Sequence, residues 1–261
     1  MKKMNENLKH MVLAPDHYLL FDFDSTFNQK EMLEWLAWFA LADTDRQSTI
    51  FKQIETITNS GMNIDLSFRE SLEKRLALFS ASRENLDQLV DFLQKHMTDS
   101  IITHRDFIIR NSKQIYIVSG GFREAIIPVV KNFGIDESHV FANSFEFDGD
   151  DRIVGVDWTN PMSRDGGKVD VVRQLNLNGT IHMIGDGKTD FQVWEEGIAQ
   201  HFFLFNENVA RPKVVDVVST AMESHETIKI ANSFDDILAQ LYEWGLLQEK
   251  SALIINQKAI V

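Results

Sequence analysis

The chain has 261 residues, 44% of them hydrophobic, no cysteine and a formal net charge of -13. That length and apolar fraction predict one large domain or a core carrying an insertion. Zero cysteines exclude disulfides, thiolate catalysis and zinc–thiolate sites, and the acid excess, with no basic run beyond two residues, opposes a nucleic-acid partner.

Residues 1–7 lack the sustained apolar core of a signal peptide. No apolar stretch reaches the roughly 18 residues that span a bilayer. A soluble, cytoplasmic protein is the expectation, with no membrane partner.

In chain order, residues 18–24 read as a buried strand ending in Asp22-Phe23-Asp24-Ser25-Thr26. Two carboxylates at i and i+2 repel, and each loses hydration unless a cation or proton compensates. A strand interior would not tolerate them, but the crevice above the strand ends of an open α/β sheet would. There one Asp can attack an electrophile while the other moves protons, with a divalent cation between them. Taken alone, the run reads equally well as an acidic turn capping a helix near Lys30.

Residues 30–112 read almost wholly as helix. Apolar residues at Phe68, Leu72, Leu76 and Phe79, and again at Leu86, Leu89, Val90, Leu93 and Met97, follow a helical stripe. From Gln114 the pattern changes. Ile115-Tyr116-Ile117-Val118 leads into Ser119-Gly120-Gly121, Ile181-His182-Met183-Ile184 into Gly185-Asp186-Gly187, and His201-Phe202-Phe203-Leu204-Phe205 repeats the form less sharply. Residues 122–133 and 167–176 read as the helices between. Residues 140–156, turning at Asp148-Gly149-Asp150-Asp151, read as a β-hairpin.

The expected fold is therefore α/β, a doubly wound parallel sheet. Its core comprises residues 1–29 and 113–247. An inserted α-helical bundle cap spans 30–112, a small β-hairpin flap is appended, and residues 248–261 form a tail with no assigned role.

Three further loops carry chemistry. Ser119-Gly120-Gly121 offers a hydroxyl and bare backbone N–H groups, an oxyanion cradle if it opens a helix. Lys168, in Gly166-Gly167-Lys168, is misplaced at a helix N-terminus unless an anion sits there. Gly185-Asp186-Gly187-Lys188-Thr189-Asp190 adds two carboxylates. Each has a plain reading by itself: a capped glycine turn, a solvated lysine, a capped strand-to-helix turn. Together they converge on one edge of a parallel sheet. Asp22, Asp24, Asp186 and Asp190 would crowd there, and a hard divalent cation with oxygen ligands, Mg²⁺, is the simplest compensation. Which aspartate attacks is left open by the residues alone.

The motifs FDFDST, SGGF and GDGKTD resemble those of the haloacid dehalogenase superfamily of aspartyl-phosphate enzymes, and within it the phosphoserine phosphatases. The resemblance runs over roughly residues 16–205, and MNIDLSFRESLEKRLALF and VFANSFEFDGDDRIVG are similar to that group's cap and flap. It implies a Rossmann-like core and Mg²⁺-dependent hydrolysis of O-phosphoserine to serine and phosphate, the last step of serine biosynthesis. By the same resemblance Asp22 would be the nucleophile and Asp24 the general acid and base. Mg²⁺ would be held by Asp22, the Asp24 backbone carbonyl and Asp186, with Asp190 and Thr189 behind them. Ser119, Gly120 and Lys168 would hold the phosphate. Glu31 would take the serine ammonium group and Arg75 its carboxylate, while Met62 and Phe68 would line the closed site.

Three features depart from the family pattern. Thr189 stands where many superfamily members have Asn, Trp35 and Trp38 add bulk near Glu31, and residues 206–211 do not follow the better-known members. The expected partner is a small phosphomonoester, with the chain a monomer or homodimer. Two rivals are another small phosphorylated metabolite, or phosphotransfer to an alcohol, by the same chemistry, and a catalytically retired phosphate- or metal-binding module.

Overall fold

The computed structural model describes residues 10–62 and 66–249. After β1 (Met11–Leu13), the chain enters β2 (His17–Phe21) and then a helical insertion of α1 (Met32–Ala40), α2 (Gln47–Met62), α3 (Phe68–Leu76) and α4 (Arg83–Gln94). Short helices α5 (Asp99–Thr103) and α6 (Arg105–Arg110) lead to β3 (Ile115–Phe122), α7 (Arg123–Val130) and β4 (Val140–Asn143). A hairpin of β5 (Phe145–Phe147) and β6 (Ile153–Val156) follows, then α8 (Gly167–Leu175), β7 (Thr180–Gly185), α9 (Lys188–Glu195) and β8 (His201–Phe205). The chain closes with α10 (Pro212–Met222), β9 (Ile228–Ala231), α11 (Phe234–Glu243) and β10 (Leu247–Glu249).

Six strands form one parallel sheet in the order β4–β3–β2–β7–β8–β9, the doubly wound arrangement expected from the sequence. Strand order reverses at β2, so the crevice at its carboxyl end is the switch point where such sheets bind ligands. Alternation along β2 explains why it is buried on both faces. Leu19 and Phe21 enter the core shared with α7 and α11, whereas Leu20 enters the one shared with α8, α9 and α10. Full burial of each such side chain contributes roughly 1.5–3 kcal/mol.

The chain leaves and re-enters the core side by side. Asn28 bridges Met97 in antiparallel fashion, Gln29 N donates to His96 O at 2.9 Å, and Thr98 N donates to Phe27 O at 3.3 Å. The hairpin is tied to the insertion: Ile153 N donates to Ala81 O at 2.9 Å, and Arg83 pairs with Asp151 at 2.9 Å while lying over the Phe147 ring.

Several elements differ from the sequence expectation. Residues 140–143 join the main sheet beside β3, so the hairpin starts at Phe145. Ser119-Gly120-Gly121 is extended and does not open the helix, because β3 runs on to Phe122 and α7 begins at Arg123. The short strands β1, β9 and β10 had no sequence signal. β10 pairs with β1, so Gln248 and Glu249 lie against Val12 and Met11. The apolar run at residues 252–255 lies outside the described residues.

At the amino-terminal edge of the sheet, opposite the crevice, three imidazoles gather. His17 Nδ1 lies 3.1 Å from His182 Nε2, and His182 stacks on His201 with ring centroids 4.7 Å apart. Trp244 covers His201 at 4.4 Å. Burial, then the neighbouring His201 and His17, lower His182 from 6.5 to about 2. Between those values the unfolded chain binds a proton that the native state refuses, so stability is lost as pH falls below 6.5. The slope from this one group reaches about 1.4 kcal/mol per pH unit. His182→Leu should therefore flatten the decline in unfolding free energy between pH 7 and pH 5, measured by urea titration. An unchanged slope would acquit the imidazole.

Candidate active site

Asp22 is the first residue beyond β2, and its N–H still pairs with Ile184 O at 2.9 Å, which fixes its backbone to the end of β7. Its Oδ1 accepts from Phe23 N at 2.6 Å. Lys168, on the first turn of α8, reaches Asp22 Oδ2 at 2.7 Å and Asp190 Oδ1 at 2.6 Å. The lysine that looked misplaced at a helix start is thus held by two buried carboxylates. Asp190 also accepts from Gly187 N at 3.1 Å, capping α9. A Cβ on Gly185 would sit 2.2 Å from Asp190 Cγ, so this position admits no side chain.

Asp186 is almost wholly buried and lies between Thr26 Oγ1 at 3.3 Å and Arg211 Nε at 2.6 Å. Oxygen atoms of Asp22, Asp186 and Asp190 all lie within 4.8 Å of one another. Burial raises Asp186 to about 6 in spite of Arg211, and Asp190 to about 7 in spite of Lys168. Asp22, Asp24, Glu31, Asp186 and Asp190 outnumber the cations Lys168, Arg75 and Arg211 around them. An all-oxygen donor set with surplus negative charge suits a hard divalent cation.

The turn after Asp22 is unusual. Phe23–Phe27 forms a single wide helical turn in which Asp24 is extended and Ser25 is left-handed, with φ of 56°. For a residue with a side chain that conformation costs on the order of 1–3 kcal/mol. Ser25 Oγ donates to Glu31 Oε1 at 2.7 Å. Asp24 Oδ1 is shut from solvent with no hydrogen-bond partner, and burial, then Glu31 and Asp22, hold this carboxyl well above the usual carboxylate range.

A cavity of about 290 Å³ opens onto this cluster. Asp22, Asp24, Ser119, Gly120, Lys168 and Thr189 line it from the core, and Glu31, Phe68 and Arg75 from the insertion. Ser119 Oγ accepts from Gly121 N at 3.1 Å. A Cβ on Gly120 would stand 2.8 Å from the Phe68 ring, so glycine leaves that wall as bare backbone. Phe68 N donates to Asp165 Oδ1 at 2.7 Å, docking the start of α3 on the core. Arg75 donates to Ser71 O at 3.2 Å and lies 3.5 Å from Thr58 Oγ1. Among the described residues no carboxylate comes within salt-bridge distance of its guanidinium.

The Met62 side chain lies outside the described residues. Trp35 and Trp38 do not intrude on the cavity: Trp35 stacks on Phe92 with centroids 4.1 Å apart, and Trp38 packs edge-on to Phe51. Two participants escaped the sequence reading. Glu34, buried on α1, is pushed up to about 8 by burial and by Glu31. Arg211 bridges Asp186 and Glu31, the latter at 2.9 Å, from the loop after β8. The signal for Arg211 was its place, since it sits beyond a parallel strand and just before Pro212 opens a helix.

The family model for haloacid dehalogenase-like hydrolases matches residues 19–195. The chain is 32% identical to the chloroplastic phosphoserine phosphatase of Arabidopsis thaliana, over 71% of its own length and 61% of that protein. It is 31% identical to the phosphoserine phosphatase of Bos taurus, over 81% of its length and 91% of that protein. Among solved structures, a phosphoserine phosphohydrolase-like protein from Francisella tularensis is similar, with 29% identity and a TM-score of 0.74. That match covers 86% of this chain and 99% of the other.

Removing the cation between Asp22 and Asp190 tests the electrostatics directly. Lys168→Met should cost about 3–5 kcal/mol of unfolding free energy at pH 8. The loss should be smaller at pH 5, where Asp190, with its value near 7, is already protonated. Chemical denaturation at the two pH values reads the difference, and equal losses would show that packing, not charge, is what the lysine supplies.

Proposed function

Since the chain belongs to the haloacid dehalogenase-like hydrolases, and is a phosphatase resembling the phosphoserine phosphatases, we propose that it hydrolyses O-phosphoserine through an aspartyl-phosphate at Asp22. The observation that carries this reading is the contrast between two carboxyls two residues apart. Lys168 pairs with Asp22, whereas Asp24 has no partner for Oδ1 and is driven toward its protonated form. A carboxylate paired with a lysine suits the nucleophile, and an unpartnered carboxyl that keeps its proton suits the acid.

In the proposed reaction an Asp22 oxygen attacks phosphorus and the phosphorus–oxygen bond to serine breaks. The departing serine oxygen takes the proton from Asp24. Asp24, now ionised, accepts a proton from a water that attacks the aspartyl-phosphate and releases inorganic phosphate, which restores both carboxyls. Lys168, the Ser119 hydroxyl and the Gly120 backbone would hold phosphate oxygens as charge shifts among them. Mg²⁺, held by Asp22, the Asp24 carbonyl and Asp186, would neutralise phosphate charge. Asp190 and Thr189 would support that site.

Substrate choice would come from the insertion. Arg75, without a carboxylate partner among the described residues, suits the serine carboxylate as a planar fork. Glu31 would turn Oε2 to an ammonium group, because among the described residues Ser25 and Arg211 both engage Oε1. Phe68 closes the apolar side, and Met62 would join it. Among the described residues no helix is long and apolar enough to cross a membrane. The reading places the reaction in the cytoplasm, as the last step of serine biosynthesis.

Phosphate release from O-phosphoserine should require Mg²⁺ and stop with chelator. Asp22→Asn should abolish turnover with the fold intact by circular dichroism, and Asp24→Asn should lower kcat by roughly 10²–10⁴-fold. Arg75→Ala should raise KM for phosphoserine by roughly 10–100-fold, the equivalent of a lost hydrogen bond to a charged group. Its effect on an aryl phosphate should be small, and equal effects on both would point to a different phosphomonoester.

A further inference from the structure

The loop after β8 also reaches the backbone of the nucleophile turn. Asn208 Nδ2 donates to Ser25 O at 3.1 Å, to Thr26 O at 3.4 Å and to Thr98 Oγ1 at 2.7 Å. Thr98 Oγ1 in turn donates to Thr26 O at 2.7 Å. Thr98 is fully buried, so its hydroxyl has no water to fall back on. Next to Asn208, Glu207 accepts from Ser100 N at 3.0 Å and from its hydroxyl, which anchors the loop to α5.

These bonds fall on the carbonyls of Ser25 and of Thr26, the residue that follows it. Ser25 is left-handed, and strained conformations persist where surrounding contacts over-determine them. The peptide plane joining Asp24 to Ser25 is set by the Asp24 ψ of 137° and the Ser25 φ of 56°. That plane carries the Asp24 carbonyl. We propose that Asn208 and Thr98 are positioning residues for the divalent cation: by clamping the Ser25 and Thr26 carbonyls they hold the Asp24 carbonyl in its ligating orientation. Neither side chain belongs to the ligand set. The inference rests on the metal reading given above, and it adds that cation affinity depends on a hydroxyl in the return crossing of the insertion.

Mn²⁺ binding to the full chain, followed by electron paramagnetic resonance, tests this without recourse to turnover. The wild type should bind one Mn²⁺ that Mg²⁺ displaces and that Asp186→Asn abolishes. Thr98→Val, which exchanges a hydroxyl for a methyl of like shape, and Asn208→Ala should each weaken binding by roughly 10–100-fold, the usual effect of losing a group that orients a ligand. Thr98→Ser should restore wild-type affinity. If Asn208→Ala fails to fold by circular dichroism, the Thr98 pair carries the test alone. Wild-type affinity in Thr98→Val would overturn the positioning role while leaving the metal site intact. No Mn²⁺ binding by the wild type, or unaltered binding in Asp186→Asn, would overturn the metal reading and this inference with it.

Discussion

Lys168 touches Asp22 at 2.7 Å and Asp190 at 2.6 Å with 7% of its side chain exposed. Without that ammonium, two carboxylates, one just beyond β2 and one on the first turn of α9, would face each other out of reach of water, at a cost of several kcal/mol per ion. The glycine at 185 lets β7 approach closely enough for Asp190 to share the cation. Compensation is still incomplete. Asp186 and Asp190 remain raised to about 6 and 7, and Asp24 stands higher than the usual range. Such a shortfall of positive charge at a sheet switch point suits a further cation.

The two parts of the cavity wall differ in how their charges are satisfied. Carboxylates of the core are met by Lys168, on the first turn of α8, and by Arg211, on the loop after β8. Among the described residues, Arg75, from the insertion, meets a backbone carbonyl and a hydroxyl but no carboxylate. In the proposed reaction a substrate bearing a phosphate, an ammonium and a carboxylate would complete both walls at once. Glu31 joins them, since it lies on the insertion side yet is bonded to Arg211 and Ser25.

Much of this was legible in the sequence because parallel strands are continuous apolar runs and their carboxyl ends are where unusual polar residues gather. Asp22, Asp186 and Asp190 each follow from that rule, and Lys168 from its misplacement as a cation at a helix N-terminus. Glu31, Phe68 and Arg75 came from family likeness, since a helix charge looks the same whether it faces a cavity or solvent. What escaped was set by tertiary contact. Ser119 was expected at a helix start, but β3 runs extended through it to Phe122, where pairing with β4 resumes after a shift in register. Trp35 was read as added bulk near Glu31, but Phe51 and Phe92 offer it a ring-lined slot within the bundle. Arg211 and Asn208 lie in a loop without periodicity, and their importance emerges once β8 sets them beside residues more than 100 positions earlier. β1 and β10 are too short for alternation to register.

Residues 27–29 and 96–98 pair with each other as the chain departs for the helices and comes home. A segment whose two ends meet adds almost no constraint on the sheet beneath it, for the gap it must close is already closed by backbone hydrogen bonds. The core would keep its strand order with a longer, shorter or unrelated segment grafted at that junction. In the proposed reaction, selectivity would then be re-tailored by exchange of one contiguous stretch of sequence, while Asp22, Asp24, Lys168 and their partners below stay where they are.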